Sequence, residues 1–199
     1  MSILQLLFQK PVTALDFFTD TDNVLLEDHT PTNVDYSGNG WAAPAPADGV
    51  VEIINNQAKH TSDFSSKVFP WDVMTPNVIV DCDIIPASKG RGGVSVRNAG
   101  TGALGWTFRW QLDDDQIQIV DSGVVRATAA LVNTTGSQPY HIKVIARDST
   151  FILIVTPQTD AETTVSFVSN VNQTETHVGI SLSNGVFGTI WDNFKVRGA

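Results

Sequence analysis

A chain of 199 residues, 42% hydrophobic with five Trp and ten Phe, is long enough to bury one real core and fits a single domain. The formal charge is −9 with Lys and Arg scattered, which argues against a basic patch for nucleic acid. No apolar run reaches membrane-spanning length, and a lone cysteine, Cys82, can build neither an intrachain disulfide nor a thiolate metal site.

Met1 to Phe8 is apolar but lacks a basic n-region and runs into Lys10-Pro11, so it does not read as a signal peptide. Ile3, Leu4, Leu6, Leu7 and Phe8 form an apolar arm, residues 1–13, which either folds back on its own domain or docks on a neighbouring subunit. Thr13 to Phe18 reads as a short strand followed by the turn-forming cluster Thr19 to Asn23. Leu25 to Pro31 reads as a long loop, and Trp41 as an anchor closing a Gly-rich stretch.

From Val50 the strands come quickly. Val78, Val80, Cys82 and Ile84 share one face of an alternating strand, which makes Cys82 a buried, inert thiol. Trp106, Phe108, Trp110 and Leu112 share the core face of the next long one, with Thr107, Arg109 and Gln111 opposite. Hairpins are expected around Ser122-Gly123 and around Arg147 to Thr150. In the last strand Ile190, Asp192, Phe194 and Val196 fall on one face, and Trp191, Asn193 and Lys195 on the other. About a dozen strands, turns every eight to twelve residues and no helix of ordinary length predict an all-β sandwich or barrel over residues 14–199.

The ordered series Asp16-Phe17, Leu26 to Pro31, Trp41, Ile53 to Ala58, Val80 to Pro86, Gly92 to Arg97, Gly179-Ile180 and Trp191 to Val196 resembles the concanavalin A-like lectin/glucanase superfamily. The likeness is to laminin-G-like modules of phage and bacterial surface proteins. It implies an antiparallel two-sheet jelly-roll sandwich, one sheet concave and one convex, with the first and last strands adjacent. Related modules often carry one structural calcium. Asp20, Asp22, Glu27 and Asp192 are the candidate ligands if the chain ends pair, although turn chemistry and capping explain the loop acids equally well.

Glucan-cleaving enzymes of this fold carry Glu-x-Asp-x-x-Glu or Glu-x-Asp-x-Glu on one strand, and neither pattern occurs here. Asp113-Asp114-Asp115 reads as a solvated turn. There is no Gly-x-Ser-x-Gly elbow, and His29, His60, His141 and His177 lack zinc spacing, so no catalytic residues are assigned and no enzyme is expected. Saccharide binding needs an aromatic platform edged by polar groups. Trp191, Trp71 and Tyr36 are candidates, with Arg97, Arg109, Asn98, His141 and Lys143 as polar partners. The two sequons at Asn133 and Asn172 read as plain turns.

Two functions remain. The first is a non-enzymatic structural protein of a virus (phage) particle, a capsid decoration or tail-fibre component. It would be made in the host cytoplasm, and the arm would hold it to copies of itself or to other virion proteins. The alternative is a carbohydrate-binding, lectin-like module for a cell-surface glycan. Neither reading involves nucleic acid or a membrane.

Overall fold

The computed structural model describes residues 13–34, 40–42, 51–61, 67–87, 91–100, 105–111, 114–131, 138–158, 161–183 and 188–199. The arm side chains Ile3, Leu4, Leu6, Leu7 and Phe8, and also Tyr36, lie outside these residues. The strands run β1 (Thr13–Asp16), β2 (Val24–Leu25), β3 (Asn33–Val34), β4 (Val51–Ile54), β5 (Gln57–His60), β6 (Lys67–Asp72), β7 (Val78–Ile85) and β8 (Arg91–Asn98). They continue as β9 (Trp106–Gln111), β10 (Gln116–Asp121), β11 (Val124–Ala130), β12 (Tyr140–Arg147), β13 (Thr150–Pro157), β14 (Thr163–Val168), β15 (His177–Ser183) and β16 (Ile190–Gly198). The segment read as a long loop after Leu25 instead holds a 3-10 turn at Leu26–Asp28, pinned by buried Leu26.

Every pairing is antiparallel, in two sheets. One has the order β14-β13-β12-β7-β16-β5-β4-β2, with β1 joined to β16 and β3; the other has the order β11-β10-β9-β8-β15-β6. The first and last long strands are adjacent, Ala14 opposite Val196 and Asp16 opposite Phe194. This is the expected two-sheet sandwich. Alternation builds the core: Val80, Cys82, Ile84, Ile142, Val144 and Leu153 come from the ten-stranded sheet, and Val94, Val96, Phe108, Ile119 and Ile180 from the six-stranded one. Each such side chain contributes about 1.5–3 kcal/mol by leaving water. Trp106 bridges the layers by stacking on Phe151 at 4.4 Å. Trp41 fills one end between Trp71 (5.2 Å) and Phe194 (5.0 Å).

Two bulges change the face that alternation assigns. In β16 the register against β7 slips between Asp192 and Lys195, with Asn193 left-handed at φ 52°. Trp191, Phe194 and Val196 are therefore all buried, while Ile190 and Asp192 turn outward, which corrects the expected phase of that strand. In β8 the register against β15 slips beside Arg97, which is left-handed at φ 50°. Arg97 consequently turns inward although the residue count places it outward.

Candidate functional site

The six-stranded sheet has an outer face of unusual character. Its core-facing residues are apolar, so the intervening positions Ser95, Thr107, Arg109, Gln111, Gln118 and Ser181 point the other way, and all are buried. Cross-strand register sets them in rows: Arg91–Gln111–Gln116, Ser181–Gly93–Arg109–Gln118, and Gly179–Ser95–Thr107–Val120. At Gly93 and Gly179 a Cβ would run into the Phe108 and Phe69 carbonyl oxygens, so only glycine fits and bare main chain forms the middle of the face.

Polar contacts tie this face into a network. Arg109 donates from Nε (3.1 Å) and Nη2 (3.0 Å) to Gln118 Oε1, and Gln118 donates from Nε2 to Gln116 Oε1. Burial, and then the neighbouring charge of Arg91, lower the Arg109 pKa to about 10. Ser95 donates from Oγ to the Trp106 carbonyl and accepts from Asn98 Nδ2. Thr107 Oγ1 and Ser181 Oγ are different: both are buried and neither has a hydrogen-bond partner. Each unsatisfied hydroxyl costs about 1–3 kcal/mol, so this face keeps two polar groups that the described chain does not satisfy.

Of the five residues expected to bind a glycan, only Arg109 lies on this face. Arg97 is 1% exposed and donates to the Pro76 and Asp148 carbonyls (2.8 and 2.6 Å) and to Asn77 Oδ1, with its guanidinium 4.9 Å from the Phe151 ring centre. It is an internal tie, placed there by the bulge. Trp191 is fully buried and its Nε1 donates to the Gly93 carbonyl, so it cannot serve as a platform. Trp71 is likewise core.

His141 and Lys143 stand on the outer face of the other sheet. His141 Nδ1 lies 2.8 Å from Asp83 Oδ1 and its Nε2 3.4 Å from Asp81 Oδ1, while Lys143 and Arg197 also reach Asp81. Beside them Asp83, His141, Thr156, Gln158, Pro139 and Pro157 line an open depression of about 360 Å³. Its His–Asp pair is already satisfied, since Asp83 also accepts from Asn193 Nδ2 at 2.7 Å.

Among the described residues no three His, Cys, Asp or Glu side chains form a metal-binding group. The four acids considered for calcium have separate surroundings. Asp20 bonds His29 and the Thr21 amide, Asp22 takes the Asn55 amide, and Asp192 takes Gln57 and the Asn193 amide. Glu27 Oε2 is buried without a partner.

Sequence reading missed Thr107 as a site residue in its own right, and with it Arg91, Gln118 and Ser181. The available signal was a recurrence of polar residues, interrupted by Gly93, Gly179 and Val120, at the outward positions of four neighbouring strands, which is visible only once the strand order is known. It also missed a buried tie at one end of the sandwich. There Asp16 accepts from Trp41 Nε1 (2.7 Å) and from the Phe18 amide, and lies 2.9 Å from His29 Nε2.

No protein-family model and no curated protein sequence matches the chain. Solved structures do. The carbohydrate-binding module CBM66 from Bacillus subtilis superposes with a TM-score of 0.56 at 14% identity, over 78% of this chain and 89% of that one. Lectin I-B4 from Griffonia simplicifolia, in its metal-free form, gives 0.53 at 10% identity over 74% and 90%. A GH43 protein from Bacillus licheniformis gives 0.60 at 12% identity over 94% of this chain but only 39% of its own. At these identities what is shared is the lectin-like jelly-roll sandwich fold.

Proposed function

We propose that the protein is a non-catalytic, lectin-like carbohydrate-binding module whose saccharide lies on the outer face of the six-stranded sheet. The observation that carries this reading is the pair of buried, unpartnered hydroxyls, Thr107 Oγ1 and Ser181 Oγ, on a face that is otherwise polar side chain and bare glycine backbone. Sugar hydroxyls donate and accept at once, so they satisfy such groups without a fixed proton assignment. The names of the similar structures, a carbohydrate-binding module and a lectin, support this class of ligand. The His141–Asp83 depression is the weaker site because its polar groups already have partners.

The virion reading finds no counterpart among the similar structures named above. The absent glucanase carboxylate patterns favour binding over cleavage, and the similarity to part of a GH43 protein covers only 39% of that chain.

The test is a glycan panel with wild-type protein and the Thr107→Val and Ser181→Ala variants. Saccharide binding weakened about tenfold in each variant, a change of about 1.4 kcal/mol, supports the reading. Undiminished binding by both variants moves the site elsewhere, and no binding across the panel by folded wild-type protein defeats the function.

A further inference from the structure

The outer face of the ten-stranded sheet is not uniformly polar. Ile79, Ile145 and Ile152 stand opposite one another on β7, β12 and β13, at positions that the burial alternation of each strand turns away from the core. Each keeps part of its surface open to solvent. Ser166 continues the row on β14, and two residues beyond it Val168 is 67% exposed. The neighbouring rows, Lys195–Asp81–Lys143–Ile154 and Asp192–Asp83–His141–Thr156, are mostly charged or polar. Three isoleucines side by side at strand spacing make a continuous apolar strip, which scattered single ones would not.

In the other direction the same row passes through Arg197 of β16 and ends at Thr13 of β1. That is where residues 1–12 join the sandwich. They hold the apolar series Ile3, Leu4, Leu6, Leu7 and Phe8, and positions 2–9 carry no charged side chain. Neighbouring strands lie about 4.8 Å apart, so the strip extends from about 10 Å to about 19 Å from Thr13. Phe8 is five residues before Thr13 and Ile3 is ten. At about 3.3 Å per residue these reach up to about 17 Å and about 33 Å. The apolar stretch can therefore span all three isoleucines. Beside the strip, Lys143 and Arg197 turn to Asp81 at 3.5 and 3.4 Å.

We propose that the arm straps this face, Ile3 to Phe8 of the same chain lying over Ile79, Ile145 and Ile152. Apolar side chains leave water on both sides of that contact, which drives it. The chain's own arm is favoured over that of a second copy because its tether holds it at an effective concentration of the order of millimolar. The strap closes the outer face of the ten-stranded sheet, and the saccharide reading on the six-stranded sheet stands or falls independently of it.

The experiment measures thiol reactivity. Ile145→Cys and, separately, Ile152→Cys are placed in the full chain and in a full chain that also carries Leu4→Ser, Leu6→Ser and Leu7→Ser. Native Cys82 is buried, so the new thiol reports alone. The fold of every variant is checked by circular dichroism and thermal melting. With the natural arm the thiol should react with a soluble aromatic disulfide at least about tenfold more slowly than with the serine arm, because only the undocked minor fraction is open. Such shielding at either position, unchanged on dilution, supports the strap. Thr128→Cys, at an exposed position of the other sheet, should react equally with both arms. A difference there would reveal a change across the whole fold and overturn the local reading. Equal rates with both arms at Ile145→Cys and at Ile152→Cys overturn the proposal outright. Shielding that vanishes on dilution, with a dimer mass by light scattering, overturns it in favour of the arm of a second copy.

Discussion

Thr107 Oγ1 is buried without a partner, so replacing it by Val exchanges an unsatisfied hydroxyl for a methyl group of the same shape in a strand that favours Val. Thr107→Val should therefore melt at the wild-type temperature or above it even as saccharide affinity falls. A melting temperature lowered by several degrees would mean that Thr107 is bonded in solution. His29 is the opposite case, a buried side chain with carboxylates on both sides: Asp16 at 2.9 Å and Asp20 at 3.1 Å. Burial alone would lower its pKa, but the hydrogen bonds and charges of Asp16 and Asp20 outweigh it and the net shift is upward. A raised folded-state pKa contributes stability that is complete below the unfolded value of about 6.5 and is lost as pH rises through the folded value. The melting-temperature gap between wild type and His29→Gln should be widest near pH 5.5 and narrow toward about pH 8.5. A gap that widened over this range would reverse the assignment.

At the scale of elements, the bulge at Asn193 decides which side chains of β16 close the core. One residue in the left-handed region inverts the phase, so Trp191 on one side of it and Phe194 and Val196 on the other all face inward. Asn tolerates that conformation and a β-branched residue does not. Asn193→Gly should be near neutral, its loss limited to the Asn193–Asp83 hydrogen bond. Asn193→Val should cost about 1–3 kcal/mol by urea denaturation. Equal stability of the two variants would show that the bulge relaxes easily. The bulge at Arg97 has the same logic and a different product: it turns a cation inward, where three acceptors and the Phe151 face receive it. An arginine that counts as outward in the alternation becomes a tie between β8 and the loops at Pro76 and Asp148.

At the scale of the whole molecule, the two outer faces differ in kind. One carries His141, Lys143 and Arg197 beside Asp81 and Asp83, a partly exposed set of mutually satisfied charges whose contribution to stability is small. The other holds two hydroxyls without hydrogen-bond partners, Thr107 Oγ1 and Ser181 Oγ, within a set of buried polar side chains. The four acids considered for calcium are divided among different partners rather than gathered. Melting in chelator and in millimolar calcium should therefore agree; a rise of several degrees with calcium would show that Glu27 Oε2 and its neighbours do close on an ion.

Alternation of residue types determined the sandwich, because a strand with one buried face must repeat every second residue. It placed Cys82, Trp106 and Trp110 in the core correctly, and the turn residues located the hairpins at Ser122-Gly123 and Asp148-Ser149. Three things depended on tertiary structure. The phase of β16 and of β8 rested on single left-handed residues, Asn193 and Arg97, whose backbone no periodicity reveals. The separation of Arg109 from His141 and Lys143 rested on which sheet each strand joins, a matter of pairing between segments distant in sequence. The polar face itself arose because Thr107, Ser181, Gly93 and Arg91 come from three strands that only the fold sets side by side, and the missing hydrogen-bond partners of two of them are properties of that assembled surface rather than of any local stretch of chain.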